Sequence, residues 1–152
     1  MFKSFVELMK RGCPEVKRFA YASLCIAIVA LSSACAGQVG LNEKLDSSVK
    51  SFNRMLRWHE VETAGVTFID SGINDEYQKQ AEALKKRGVS VTDFRILTTK
   101  YDPEKKSAEV VAEFDYYTLP SNRIKTLSYH QNWLYRENIK SWRLQSGLPD
   151  FE

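Results

Sequence analysis

The hydrophobic period of the chain changes at Gly88, and this change constrains the fold more than any other feature. Before Gly88, apolar residues recur three and four positions apart, which is the pattern of amphipathic helices. After it, apolar and polar residues alternate in runs separated by turn residues, which is the pattern of strands. Helices followed by consecutive strands predict an α+β fold, with N-terminal helices packed on a curved four-stranded antiparallel sheet.

Two helices and one ambiguous segment are predicted before this point. The first helix is expected over about 43–60, where one face carries Leu45, Val49, Phe52 and Leu56. The second follows Asn74, a candidate cap, and ends before Gly88, a residue type favoured just after a helix. Between them, 61–71 fits a short helix or a buried turn, because Gly65 interrupts its apolar residues.

Four strands are predicted at about 89–101, 107–118, 124–136 and 139–145. The first loses its alternation near Asp93, which predicts a β-bulge. The second alternates throughout, and its inward-facing residues are expected to be Ala108, Val110, Ala112, Phe114 and Tyr116. The acidic residues between them are expected to form a solvated face.

Residues 1–34 have the organisation of a bacterial export signal. Basic residues precede an apolar stretch from Phe19 to Leu31, and small residues follow it. Because a membrane-spanning helix needs about 20 apolar residues, a permanent span is the less favoured interpretation. The whole net charge of +3 lies in this leader, so the remainder is neutral and lacks the basic excess of a nucleic-acid-binding surface.

The end of the leader, Leu31-Ser32-Ser33-Ala34-Cys35, resembles a bacterial lipobox. The resemblance implies that Cys35 becomes the lipid-modified first residue, although Ser32 departs from the preferred Leu. The alternative is an Ala-x-Ala cut after Ala36, which would release a soluble protein beginning at Gly37. The expected organisation is a signal peptide over 1–34, a tether over 35–42 and one α+β domain over 43–152. The remaining cysteines, Cys13 and Cys25, lie in the leader, so a disulfide or a cysteine-based zinc site is not expected.

The order of elements, together with the closing hairpin over 132–144, resembles the nuclear transport factor 2-like superfamily. The resemblance implies a cone-shaped domain in which N-terminal helices pack inside a curved antiparallel sheet. That superfamily includes hydratases and isomerases as well as binding and assembly domains without catalytic activity, so the fold alone does not decide between them. A cystatin-like sheet wrapped on one helix would explain much of the same pattern.

We expect Trp58, His59, Tyr116 and Tyr129 to line a pocket, because aromatic walls suit an apolar ligand or a protein interface. The alternatives are that the rings fill the core and that His59 only complements the dipole of its helix. His130 is expected to be exposed. No catalytic residue, metal site or cofactor is predicted, although His59 or Asp93 is the candidate base of an enzyme, and Asp70 and Asp93 are candidates for the mouth of the cone.

The leading hypothesis is a lipid-anchored envelope protein with a non-enzymatic binding or assembly role. Its expected partners are the membrane and an envelope protein, a small apolar ligand or a second copy of the chain. The expected location is the outer membrane, facing the periplasm, because Ala36 is not the Asp of an inner-membrane retention signal. The alternative is a cofactor-free hydratase or isomerase with a cone-shaped pocket.

Overall fold

The computed structural model describes residues 40–151. The predicted export signal over 1–34 and the predicted lipid-attachment residue Cys35 lie outside these residues. Helix α1 covers 40–57, α2 Val61–Phe68 and α3 Asn74–Lys86. None of the helices in this described range is long and apolar enough to cross a membrane.

Four strands follow the helices: β1 Val89–Asp102, β2 Ser107–Thr118, β3 Ser121–Arg136 and β4 Ser141–Leu144. They pair antiparallel in the order β1-β2-β3-β4 and form one open sheet. The predicted α+β class with N-terminal helices and a four-stranded antiparallel sheet is therefore confirmed.

The segment 61–71, ambiguous from the sequence, is helical over Val61–Phe68. Gly65 lies where this helix closely approaches α3. A Cβ atom on Gly65 would lie 2.7 Å from the ring carbon Cδ1 of Tyr77 on α3. Gly65 therefore allows α2 to lie against α3, where the Tyr77 hydroxyl donates to the Val61 carbonyl oxygen at 3.2 Å. Asn74, the expected cap, is instead the first residue of α3 and makes no capping hydrogen bond.

The strand predictions hold in number and order but differ at the ends. The β1–β2 register shifts between Val91 and Asp93, where the bulge was predicted, and again between Ile96 and Thr98. β3 begins three residues earlier than predicted, because Ser121 already pairs with Thr118 across a two-residue turn. β4 begins later than predicted, because 137–140 form a four-residue turn instead of the expected tight turn.

The core lies between the helices and one face of the sheet. All five predicted inward residues of β2 are buried, and they pack with the predicted apolar faces of α1 and α3. Two polar side chains, Asn53 and Gln131, are buried with them, at 0% and 1% exposure.

Candidate functional site

Two of the four expected pocket residues belong to the packed core. Tyr116 and Tyr129 are 4% and 5% exposed. The Tyr129 hydroxyl donates to the Gly147 carbonyl oxygen at 2.6 Å, and burial raises its pKa well above the usual value. This phenol therefore stays protonated and serves as a structural donor.

The C-terminal segment, 145–151, packs over these tyrosines. The Phe151 side chain is 1% exposed, and its ring centroid lies 5.0 Å from that of Tyr116 and 6.1 Å from that of Phe114. Arg87 at the end of α3 donates to the Phe151 carbonyl oxygen. The space beside Tyr116 and Tyr129 is therefore occupied by the chain's own aromatic residue.

The other two expected residues, Trp58 and His59, lie at the end of α1, where His59 lines a small surface cleft that we call the His59 cleft. Its volume is about 240 Å³. The lining is mostly apolar: His59, Val61, Glu62, Ala81, Leu84, Lys85, Gly88, Val89, Ser90, Tyr117 and Leu119. The structure thus separates the four expected residues: Tyr116 and Tyr129 lie in the core, His59 lines the cleft, and Trp58 is exposed.

His59 reaches the cleft because it ends α1 in a left-handed conformation. Its φ is +62°, and the Glu60 amide donates to the Met55 carbonyl while the His59 amide donates to the Leu56 carbonyl. This hydrogen-bond pair is the Schellman motif, in which glycine usually holds the position of His59. A left-handed residue with a Cβ costs roughly 1–2 kcal/mol. The hydrogen bond between His59 Nε2 and Ser90 Oγ, at 2.6 Å, holds the ring there.

Two large apolar side chains are exposed here: Leu119, which lines the His59 cleft, and Trp58, the sequence neighbour of His59. Trp58 is 65% exposed and Leu119 is 58% exposed. The guanidinium carbon of Arg57 lies 5.9 Å from the Trp58 ring centroid, within the range of a cation–π contact. Arg57 also pairs with Asp93 at 3.6 Å, so this aspartate lies at the surface and does not line the cleft.

The chemistry available in the His59 cleft is limited by how its polar groups are paired. Glu62, the carboxylate among the lining residues, accepts a hydrogen bond from Lys85 at 3.3 Å. Backbone and Lys85 hydrogen bonds lower the pKa of Glu62, which favours the carboxylate over a proton-donating acid. Among the described contacts, the partner of the His59 ring is a hydroxyl group and not a carboxylate. The cleft is therefore better suited to holding an apolar group than to acid–base catalysis.

A second and larger cleft lies beside the turn between β3 and β4, and we call it the hairpin cleft. Its volume is about 720 Å³. Inside it, Arg136 Nε donates to Asp70 Oδ2 at 2.7 Å, and the Asp70 side chain is 12% exposed. The hydrogen bond from Arg136 holds the pKa of the Asp70 carboxyl at about 2, well below its usual value, against the opposing effect of burial. Asp70 is therefore ionised near neutral pH, where it holds Arg136 in place and does not act as a proton acceptor.

The remaining candidates, His130 and the acidic residues of β2, lie outside both of these clefts. His130 is exposed, as predicted. Glu113 and Asp115 form the predicted acidic face, and Arg95 bridges them with nitrogen–oxygen distances of 2.7 and 3.4 Å. Within residues 40–151, no group of three His, Cys, Asp or Glu side chains is arranged to hold a metal ion.

No protein-family model and no curated protein sequence matches this chain. Solved structures that match it include the following two. The intermembrane space region of the chloroplast protein ARC6 has 9% identity and a TM-score of 0.46, over 68% of this chain and 92% of that one. A Campylobacter jejuni protein described as an NTF2-like transpeptidase has 15% identity and a TM-score of 0.46, over 68% of this chain and 98% of that one. The similarity to the nuclear transport factor 2-like superfamily stays a prediction, and the fold class stands on the structure itself.

The sequence pattern does not indicate Ser90 and Leu119 of the His59 cleft, or the core residue Phe151. Ser90 and Leu119 come from the start of β1 and the turn after β2, and the β1–β2 pairing brings them to the end of α1. The exposed Leu119 beside Pro120 was a usable signal, because an apolar residue in a turn has no strand neighbour to cover it. Phe151 lies after the last predicted strand, where sequence period gives no information.

Proposed function

We propose that this protein is exported, anchored in the cell envelope by a lipid on Cys35, and binds a partner protein through the His59 cleft and the exposed side chain of Trp58. The anchor is supported by the lipobox-like sequence ending at Cys35. The outer membrane, facing the periplasm, is the proposed location.

The observation that carries the binding role is the exposure of Trp58, which directly precedes His59, a lining residue of an apolar cleft. Tryptophan and arginine dominate the energetic centres of protein interfaces, and Trp58 is 65% exposed with Arg57 stacked near its ring. Leu119, which is 58% exposed, adds apolar surface to the lining of the cleft. Such a surface becomes buried when a partner contributes one side chain to the cleft.

The size of the cleft favours a partner protein over a small ligand. Clefts that bind free small molecules usually measure about 300–1,000 Å³. The His59 cleft measures about 240 Å³, which suits a single partner side chain. The small apolar ligand considered from the sequence is therefore the less favoured occupant.

The alternative function is a hydratase or isomerase, and the observation that favours it is that the His59 ring lines a cleft. A histidine that lines a cleft is a candidate general base. Its test is the incorporation of deuterium from heavy water into a panel of small carbonyl and enoyl compounds. Incorporation that is lost in His59→Gln would support the enzyme and contradict the binding role.

A photo-crosslinking experiment tests the binding role in cells that export the full chain. A benzophenone amino acid replaces Trp58 in one strain and Ile124, an equally apolar residue that is 54% exposed, in the control. We expect a discrete protein adduct at position 58 that is absent at 124 and is lost when Leu119→Asp is added. No adduct at 58, or the same adducts at both positions, would contradict the proposal.

A further inference from the structure

The start of α1 is fixed at the end of the molecule that carries the β3–β4 turn. Trp142 on β4 donates from its indole nitrogen to the Leu41 carbonyl oxygen at 3.1 Å. Cys35 precedes Leu41 by six residues, and a chain extends at most about 3.6 Å per residue. Whatever conformation the tether adopts, Cys35 therefore lies within roughly 22 Å of Leu41.

Two exposed apolar side chains lie at this end of the domain. Ile139, in the turn three residues before Trp142, is 47% exposed. Val66, on the last turn of α2, is 74% exposed and lines the hairpin cleft together with Ile139. Transfer of an exposed aliphatic side chain from water to an apolar phase is favourable, so this position suits contact with such a phase.

Two cations flank the apolar pair. Lys140 and Arg143 make no ion pair with the described residues, although Arg143 donates to the Thr67 carbonyl oxygen. The acidic groups facing them are largely engaged: Asp70 with Arg136, and Glu137 with Lys106. Asp75 is the lining carboxylate that opposes them. Unpaired basic groups beside exposed aliphatic side chains are the combination that binds an anionic bilayer surface.

We propose that Val66, Ile139, Lys140 and Arg143, the hairpin surface, rest on the bilayer in which the protein is anchored. This inference rests on the proposed anchor at Cys35 and adds an orientation to it. Ile139 enters the interfacial region, and the two cations contact phosphate groups of the lipids. The His59 cleft then faces away from the membrane, since α1 spans about 27 Å at 1.5 Å per residue between the tether and Trp58. The lipid anchor and the hairpin surface together hold the His59 cleft at a fixed distance from the bilayer, where a partner protein can reach it.

Site-specific fluorescence tests this orientation in the mature, lipid-modified chain. Once Cys13 and Cys25 leave with the signal and Cys35 carries its lipid, an introduced cysteine is the one reactive thiol. Ile139→Cys and the control Ile124→Cys, from positions 47% and 54% exposed, are each labelled with bimane. Both proteins are reconstituted in vesicles of phosphatidylethanolamine and phosphatidylglycerol with brominated acyl chains, which quench only dyes at the membrane.

We expect bimane at position 139 to lose fluorescence in the brominated vesicles and bimane at 124 to keep it. Adding Lys140→Glu and Arg143→Glu should weaken the quenching at 139, because the pair then repels anionic lipid. Equal quenching at both positions, or none at 139 in a protein that co-floats with the vesicles, would overturn the orientation and leave the anchor intact. A mature protein that fails to float would instead contradict the anchor and the proposed function with it.

Discussion

Asn53 on α1 and Gln131 on β3 form a reciprocal amide pair in the core. Gln131 Nε2 donates to Asn53 Oδ1 at 2.7 Å, and Asn53 Nδ2 lies 3.5 Å from Gln131 Oε1. Two further hydrogen bonds fix the orientation of the two side-chain amides. Trp133 Nε1 donates to Gln131 Oε1, and Asn53 Nδ2 donates to the Val49 carbonyl oxygen. The pair therefore sets the position of α1 along the sheet, and with it the position of the His59 cleft at the end of α1.

Breaking this pair should destabilise the fold. In Asn53→Ala, Gln131 keeps a buried donor without a partner, and a buried unsatisfied group costs about 1–3 kcal/mol. Urea unfolding of Asn53→Ala, Gln131→Ala and the double variant should give a double cycle with a coupling energy of about 0.5–3 kcal/mol. Strictly additive losses would show that the two amides do not act as a pair.

Gly88 should not tolerate a side chain. Its φ is +66°, and an added Cβ would lie 3.1 Å from Leu119 Cβ. We expect Gly88→Ala to lower the free energy of unfolding by about 1–2 kcal/mol, the cost of a left-handed residue with a Cβ. Gly72→Ala is the matched control, because its Cβ would meet no atom closer than 3.6 Å. If both variants unfold at the same urea concentration, the left-handed turn does not constrain this position.

The Asp70–Arg136 pair should stabilise the protein in a pH-dependent way. The pKa of Asp70 falls from 3.8 to about 2 on folding, so the folded state favours the carboxylate. Its contribution is fully present above about pH 4 and is lost as the pH falls toward 2, and the shift corresponds to at most about 2 kcal/mol.

Urea unfolding of the natural chain and Asp70→Asn across this range tests that prediction. The difference in stability between them should be largest at neutral pH and shrink below pH 4. A difference that stays constant from pH 7 to pH 2 would contradict an ionic role for Asp70. Asp46→Asn is the control, because its exposed pair with Lys50 is of the kind that adds little.

Phe151 should contribute to the core although it lies close to the chain's last residue. Replacing a buried Phe with Ala usually costs about 3–5 kcal/mol, and we expect Phe151→Ala to lower the free energy of unfolding by about this amount. Asp150→Ala is the neighbouring control, because the Asp150 side chain is 85% exposed. Thermal unfolding that is unchanged in Phe151→Ala would show that the segment does not fill the space beside Tyr116.

The sequence predicts the elements of this fold because each carries its own periodic pattern. β2 alternates along its whole length, and α3 has a complete apolar stripe with acidic residues at its start and basic residues at its end. Gly65 made α2 ambiguous because glycine opposes helix formation in isolation. In the structure, Gly65 allows the close contact of α2 with Tyr77, and no local sequence pattern shows such a contact.

The candidate site was only partly predictable for the same reason. His59 is placed by the end of α1, which local pattern reveals, but its partner Ser90 is brought there by the packing of the sheet. Tyr116 and Tyr129 were predicted as pocket walls on composition alone. Whether such rings line a space or fill it depends on Phe151, which approaches them from the far end of the chain.

The proposed function and the proposed orientation both require the lipid on Cys35, and intact mass spectrometry of the protein extracted from its native membrane tests it most directly. Our account predicts the mass of residues 35–152 plus a diacylglyceryl and an acyl group. A mass that corresponds to an unmodified chain beginning at Gly37 would contradict it, and the protein would then be a freely diffusing one.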